Sequence, residues 1–145
     1  MQRMIEILMI EDNPGDIELT KEAFSMGKLR NRLHVIEDGE EALNYIFRRG
    51  QHENAIRPDL ILLDLNLPKV DGKTILEKVK TDDTLRTIPI IILSSSQDAR
   101  DIQETYKLNA NSFVTKPVKV RDFLNIVKSI EGFWVEIVKL PTVES

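Results

Sequence analysis

Five short apolar runs punctuate this chain, and they restrict its fold more than any other feature. They are Ile5–Ile10, Leu33–Ile36, Leu60–Leu63, Ile88–Leu93 and Ser112–Thr115. Most are rich in Ile, Val and Leu with no polar alternation, the pattern of strands buried on both faces. Each is followed by a stretch of helical character, about ten to fifteen residues long. Alternation of this kind specifies parallel βαβ units with helices on both faces of one sheet. The expected class is α/β, a flavodoxin-like (βα)5 doubly wound parallel sheet in strand order 2-1-3-4-5.

The helix starts carry their own signals. Asn13-Pro14 offers an N-cap followed by proline in the first helical position. Asp38-Gly39-Glu40-Glu41 puts acidic residues in the first turn of a second helix. Asp71-Gly72 precedes a third and Ser96-Gln97-Asp98 a fourth. Residues 48–57 are polar and include Gly50, so they read as a loop. A fifth helix starts near Val120. In it Phe123, Val127, Ile130, Trp134 and Ile137 recur on one helical face. Gly132 costs about 1 kcal/mol against Ala within a helix, which makes it a place for a break. Pro141 ends any helix. The expected organisation is a single domain over 1–145, with an extended apolar C-terminal segment at 132–141 and a frayed tail at 142–145.

At 145 residues, the chain is long enough to bury a core without staples. It contains no cysteine, which excludes disulfides and thiolate metal sites and fits a reducing compartment. The net charge of −4 argues against nucleic acid as a partner. Glu6 interrupts the apolar stretch that opens the chain, which argues against a signal peptide, and no apolar run is long enough to span a bilayer. A soluble, cytoplasmic protein without membrane contact is expected.

Carboxylates follow two of the runs. Glu11 and Asp12 come directly after the first, and Asp64 directly after the third. In an open α/β sheet, ligands bind beyond the carboxyl ends of the strands, where strand order reverses. With strands one and three adjacent, these three carboxylates converge. Converging carboxylates raise one another's pKa unless a cation compensates. Mg²⁺ suits oxygen ligands of this kind, and no EF-hand spacing supports Ca²⁺ instead. Each residue alone has a plainer use: Asp12 or Asn13 as an N-cap, Asp64 as a turn residue. Ser94, at the end of the fourth run, could donate a hydrogen bond to a phosphoryl oxygen, and Lys116, after the fifth, could balance its charge. Alone, Ser94 reads as part of a polar loop and Lys116 as a solvated lysine. A cis peptide at Lys116-Pro117 would turn the chain tightly and aim the lysine. Together these groups suit attack by a carboxylate on phosphorus, with catalysis by positioning and electrostatics.

Over residues 4 to 131 the chain resembles the receiver domain of two-component response regulators. The matching elements are Ile10-Glu11-Asp12-Asn13, Asp64-Leu65-Asn66-Leu67-Pro68 with Asp71-Gly72, Ser94-Ser95 and Lys116-Pro117. The resemblance implies a phosphoacceptor at Asp64. It implies Mg²⁺, with Mn²⁺ as a substitute, held by Asp12, Asp64 and the backbone carbonyl of Asn66, with Glu11 acting through water. Ser94 and Lys116 would contact the phosphoryl group. Phe113 stands at the aromatic switch position, where Tyr is commoner; it reads equally as a core aromatic. Glu replaces the commoner Asp at position 11, and the 48–57 loop is longer than usual. That loop, residues 13–16 and Arg57-Pro58-Asp59-Leu60 resemble the small regulators that partner bacterial phytochrome histidine kinases.

No output domain is expected after residue 140, so signalling would run through a downstream protein target. The apolar surface at Phe133, Trp134, Val138 and Leu140 would either pack back on the domain or form a homodimer interface. Three rival functions are weaker. An aspartyl phosphatase would want an acid where Asn66 stands. A flavodoxin-like cofactor binder would want a phosphate-cradling loop in place of Glu-Asp-Asn-Pro. A degenerate scaffold would not need the intact acid cluster and Lys116. The expected role is a switch and not a turnover enzyme.

Overall fold

A computed structural model describes residues 4–27 and 30–141. The expected N-terminal start and the tail at 142–145 lie outside the described residues. The strands are β1 (Ile5–Ile10), β2 (Asn31–Ile36), β3 (Leu60–Leu63), β4 (Ile90–Ser94) and β5 (Ser112–Thr115). The helices are α1 (Pro14–Ser25), α2 (Gly39–Ile46), α3 (Gly72–Lys80), α4 (Ala99–Lys107) and α5 (Val120–Ile130). All strand pairs are parallel, in the order β2-β1-β3-β4-β5. The flavodoxin-like doubly wound sheet is therefore present, in the order expected.

Side chains of the central strands alternate between two cores. Leu8, Ile10, Ile61, Leu63, Ile90 and Ile92 pack with residues of α2 and α3 on one face. Ile7, Met9, Leu60, Leu62, Ile91 and Leu93 pack with residues of α1 and α5 on the other. Burying an aliphatic side chain of this size contributes about 1.5–3 kcal/mol, so the strands are pinned from both sides. The caps match the local sequence. Asn13, Asp38, Asp71 and Asp98 each accept a backbone N–H of the first turn, at 3.0, 2.7, 2.9 and 2.9 Å. A 3-10 turn at Gly50–His52 lies within the 48–57 connection.

Two strands begin elsewhere than the apolar pattern implied. β2 starts two residues early, at Asn31, because backbone pairing with β1 carries this edge strand through polar residues. β4 starts at Ile90 and not Ile88. Ile88 is buried, but Pro89 has no N–H to give the ladder and contributes only its carbonyl, which accepts from Ile61 N at 3.0 Å.

The C-terminal stripe needs a larger correction. α5 ends at Ile130, and residues Glu131–Val135, which include Gly132, form a π turn. The extra residue in the turn shifts the inward face by one position. Val135 is buried after Phe123, Val127 and Ile130, Trp134 only flanks the core, and Ile137 is 68% exposed. The insertion also turns Glu131 inward. A Cβ on Gly27 would lie 2.1 Å from its Oε1, and that oxygen has no hydrogen-bond partner among the described residues. Burial and the neighbouring Glu136 carboxyl raise the pKa of Glu131 to about 7, from an ordinary value of 4.5. The folded state then holds a proton that the unfolded state releases. Stability therefore falls as pH rises from about 4.5 through 7. We predict that Glu131→Gln removes this loss, so that the variant gains melting temperature relative to the parent between pH 5 and pH 8, as read by thermal unfolding across that range.

Candidate functional site

The parallel register builds the site. Ile10 lies abreast of Leu63, so the next residues, Glu11 and Asp64, emerge side by side at the carboxyl ends of β1 and β3. Asp64 N donates to Ile10 O and Glu11 N to Ile36 O, each at 3.0 Å. Behind Asp64 the start of α3 approaches so closely that a Cβ on Gly72 would fall 2.3 Å from the Asp64 carbonyl oxygen. That approach requires glycine and ties α3 to the Asp64 turn, with Gly72 N donating to Leu65 O at 2.9 Å.

Carboxylate oxygens of Glu11, Asp12 and Asp64 lie within 4.8 Å of one another. Glu11 and Asp64 are 2% and 7% exposed, while Asp12 is open to solvent. Glu11 Oε2 accepts from the backbone N–H groups of Asp12 and Asn13 at 3.1 and 3.3 Å. Its Oε1 accepts from the Lys116 ammonium in a short contact. Lys116 Nζ also lies 3.0 Å from Asp16 Oδ2 and 3.6 Å from Asp64 Oδ2. A single ammonium thus faces three acids.

Burial raises the pKa of Glu11 to about 7; the Asp64 charge adds to the rise, and Lys116 opposes it. Burial works against the Lys116 charge too, but its contacts with Glu11 and Asp16 outweigh that, and its pKa is raised. Asp64 Oδ1 is buried with no hydrogen-bond partner among the described residues. A buried carboxylate oxygen left unpaired beside two further acids fits a hard divalent cation, which would take that oxygen as a ligand.

The remaining expected residues sit around this cluster. Asn66 is exposed in the turn after Asp64. Ser94 ends β4 fully buried; its Oγ accepts from Ser96 N at 3.3 Å and its carbonyl from Lys116 N at 2.7 Å. That backbone bond and the acidic contacts aim Lys116, because Lys116-Pro117 is trans, as is every peptide among the described residues. The expected cis bond is therefore corrected. Phe113, half-buried on β5, packs against the α2–α3 core, and its N–H donates to the Tyr106 hydroxyl at 3.0 Å. Two participants were not singled out from the sequence. Asp16 lies in the first turn of α1, where an acid reads as a helix-dipole residue. Tyr106 is an exposed aromatic on a polar helix. Only the spacing of Asp16 from its Asn13 cap hints that it shares the strand-one end.

The response regulator receiver domain model matches residues 7–128. The chain belongs to the response regulator receiver domain family. Among curated relatives of this receiver domain is the response regulator Rcp1 of Synechocystis sp., 38% identical over 135 residues, which are 93% of this chain and 92% of Rcp1. The Mn²⁺-bound form of Rcp1 superposes with a TM-score of 0.94 at 37% identity, covering 95% of this receiver and 99% of that chain. The phosphorylated cyanobacterial phytochrome response regulator RcpA gives a TM-score of 0.94 at 41% identity, over 97% and 100% of the two chains. No helix among the described residues is long and apolar enough to cross a membrane.

Removing the ammonium isolates the electrostatics of this receiver site. Without Lys116 the Glu11 carboxyl is held further above its ordinary value, so the folded state gains a proton requirement and loses stability as pH rises. We predict that Lys116→Met, in metal-free protein, lowers unfolding free energy by up to about 3 kcal/mol at pH 8 and by less at pH 6. Urea denaturation at the two pH values reads this, and added Mg²⁺ restores more stability to the variant than to the parent.

Proposed function

We propose that this receiver domain is a stand-alone response regulator in which Asp64 accepts a phosphoryl group from a histidine kinase. The observation that carries the reading is the buried Asp64 carboxylate, whose Oδ1 has no hydrogen-bond partner among the described residues and whose Oδ2 lies 3.6 Å from the Lys116 ammonium. Oδ2, the oxygen facing Lys116, attacks the phosphorus of a phosphohistidine in line, which leaves Oδ1 for the metal. The new P–O bond forms as the P–N bond breaks, and the leaving imidazole nitrogen keeps the bonding electron pair. Lys116 holds charge on the transferred group at its Nζ. The Ser94 hydroxyl turns to donate to a phosphoryl oxygen.

Asp12, Asp64 and the backbone carbonyl of Asn66 would hold Mg²⁺, or Mn²⁺ in its place, with Glu11 acting through water. The ion supplies charge neutralisation to the equatorial oxygens.

Phosphorylation and hydrolysis make this a switch and not a turnover enzyme. The output is a changed protein surface, with Phe113 following Ser94 and altering the α4–β5–α5 face for a downstream protein target in the cytoplasm. The likeness to RcpA, a phytochrome response regulator, supports a phytochrome histidine kinase as donor. The full chain acts as one domain. The exposed Phe133 and Ile137, beside the half-buried Trp134, Val138 and Leu140, are read as the contact for a second copy of this chain.

Acetyl phosphate with Mg²⁺ is expected to label the protein, and Asp64→Asn or excess chelator to abolish labelling, followed by intact-mass measurement in acid. Labelling that survives Asp64→Asn refutes the assignment. For the dimer, light scattering should give twice the 16.7 kDa chain mass, and the Phe133→Glu, Ile137→Glu double variant should run as a monomer. A parent protein that is monomeric at about 100 µM, with and without acetyl phosphate, removes the dimer.

A further inference from the structure

α4 differs from the other helices in what holds it. Thr105 is the only buried residue of Ala99–Lys107, and hydrogen bonds and ion pairs tie the helix to its surroundings. Those ties converge on Asp101. Its Oδ1 accepts from Lys73 Nζ of α3 at 2.5 Å, and its Oδ2 from Ser96 Oγ at 2.6 Å. Lys73 Nζ also donates to Glu104 Oε2 at 2.6 Å, one turn further along α4. Ser96 N donates in turn to Ser94 Oγ at 3.3 Å. A continuous polar chain therefore runs Lys73–Asp101–Ser96–Ser94. Its first member directly follows Gly72, the residue packed against the Asp64 carbonyl.

We propose that Lys73, Asp101 and Ser96 form a latch that holds the β4–α4 loop, and with it the Ser94 hydroxyl, in the unphosphorylated arrangement, and so sets the rate at which Asp64 is phosphorylated. The proposal rests on the reading of Asp64 as phosphoacceptor. None of the three touches a reacting atom; they are positioning residues. Both oxygens of Asp101 are committed, one to α3 and one to the loop, so the loop cannot move toward Asp64 without releasing a charge-assisted hydrogen bond. The hydrophobic core does not resist this motion, because α4 contributes so little to it. A state that binds the resting loop lowers the population competent for transfer, and releasing it raises that population by the same factor. The Lys73 pKa is raised and the Asp101 pKa lowered by these contacts, so both stay charged at neutral pH.

The test uses the full chain with acetyl phosphate and Mg²⁺, comparing the parent with Lys73→Met, Lys73→Arg and Asp101→Asn. Two quantities are read: the labelling rate of Asp64, and amide hydrogen exchange across residues 95–107 before phosphorylation. Lys73→Met keeps the side-chain stem and removes the charge. It is expected to speed both labelling and exchange about three- to fivefold, the range open to a partly exposed charged contact. Asp101→Asn is expected to shift both in the same direction, and Lys73→Arg to return both toward the parent. Raising ionic strength should speed labelling of the parent more than that of Lys73→Met. Unchanged or slower labelling of Lys73→Met, beside a parent that labels normally, overturns the latch alone. A merely structural anchor would loosen exchange and lower melting temperature while leaving the labelling rate alone, and that result also overturns it. A parent that takes no label overturns the reading of Asp64 and the kinetic role together.

Discussion

Like charges forced together by a rigid frame organise this molecule. Parallel pairing places Ile10 abreast of Leu63, and the acids that follow have no freedom to part, because the strands beneath them are locked between two apolar cores. Repulsion between carboxylates at such a site has three outlets: a proton, an ammonium or a metal ion. The chain uses the first two itself. Glu11 is pushed to a pKa of about 7, and Lys116 reaches across from the end of β5 to face Glu11, Asp16 and Asp64. The site is thus held in a state of incomplete compensation, with one buried oxygen of Asp64 unmatched. A cation placed there would complete the compensation.

The same frame divides the helices by what anchors them. α1, α2, α3 and α5 are fastened through apolar residues to the sheet. α4 is fastened chiefly through hydrogen bonds and ion pairs to α3, to the loop before it and, through Tyr106, to β5. Polar ties are directional and individually weak, whereas packed cores resist small displacements. The element best able to shift without unfolding the domain therefore lies next to Ser94 and Phe113.

Most of the architecture was legible in the sequence, because it depends on short-range patterns. Unbroken Ile/Val/Leu runs marked the strands, Asn13 marked the first helix start as a cap, and the segments at Asp38, Asp71 and Asp98 marked three more starts, where the structure shows those aspartates to be caps too. The convergence of Glu11, Asp12 and Asp64 followed from strand order alone. What escaped depends on details that no pattern carries. The one-residue slip after Ile130 defeats any fixed helical period, so Trp134 and Ile137 were placed on the inward face and Val135 was not. The aim of Lys116 comes from a backbone bond to Ser94 and not from its peptide isomer. Asp16 and the Lys73–Asp101 pair join residues distant in sequence whose types are ordinary for exposed helix positions.

The π turn at Glu131–Val135 works as a phase shifter in the chain. One additional residue rotates everything after it by about 100° relative to α5. The apolar residues beyond Ile130 are thereby divided: Val135, with Trp134 beside it, still addresses the core, while Phe133 and Ile137 address the outside. Because the two sets face apart, the outer one can diverge between related chains without disturbing the inner one.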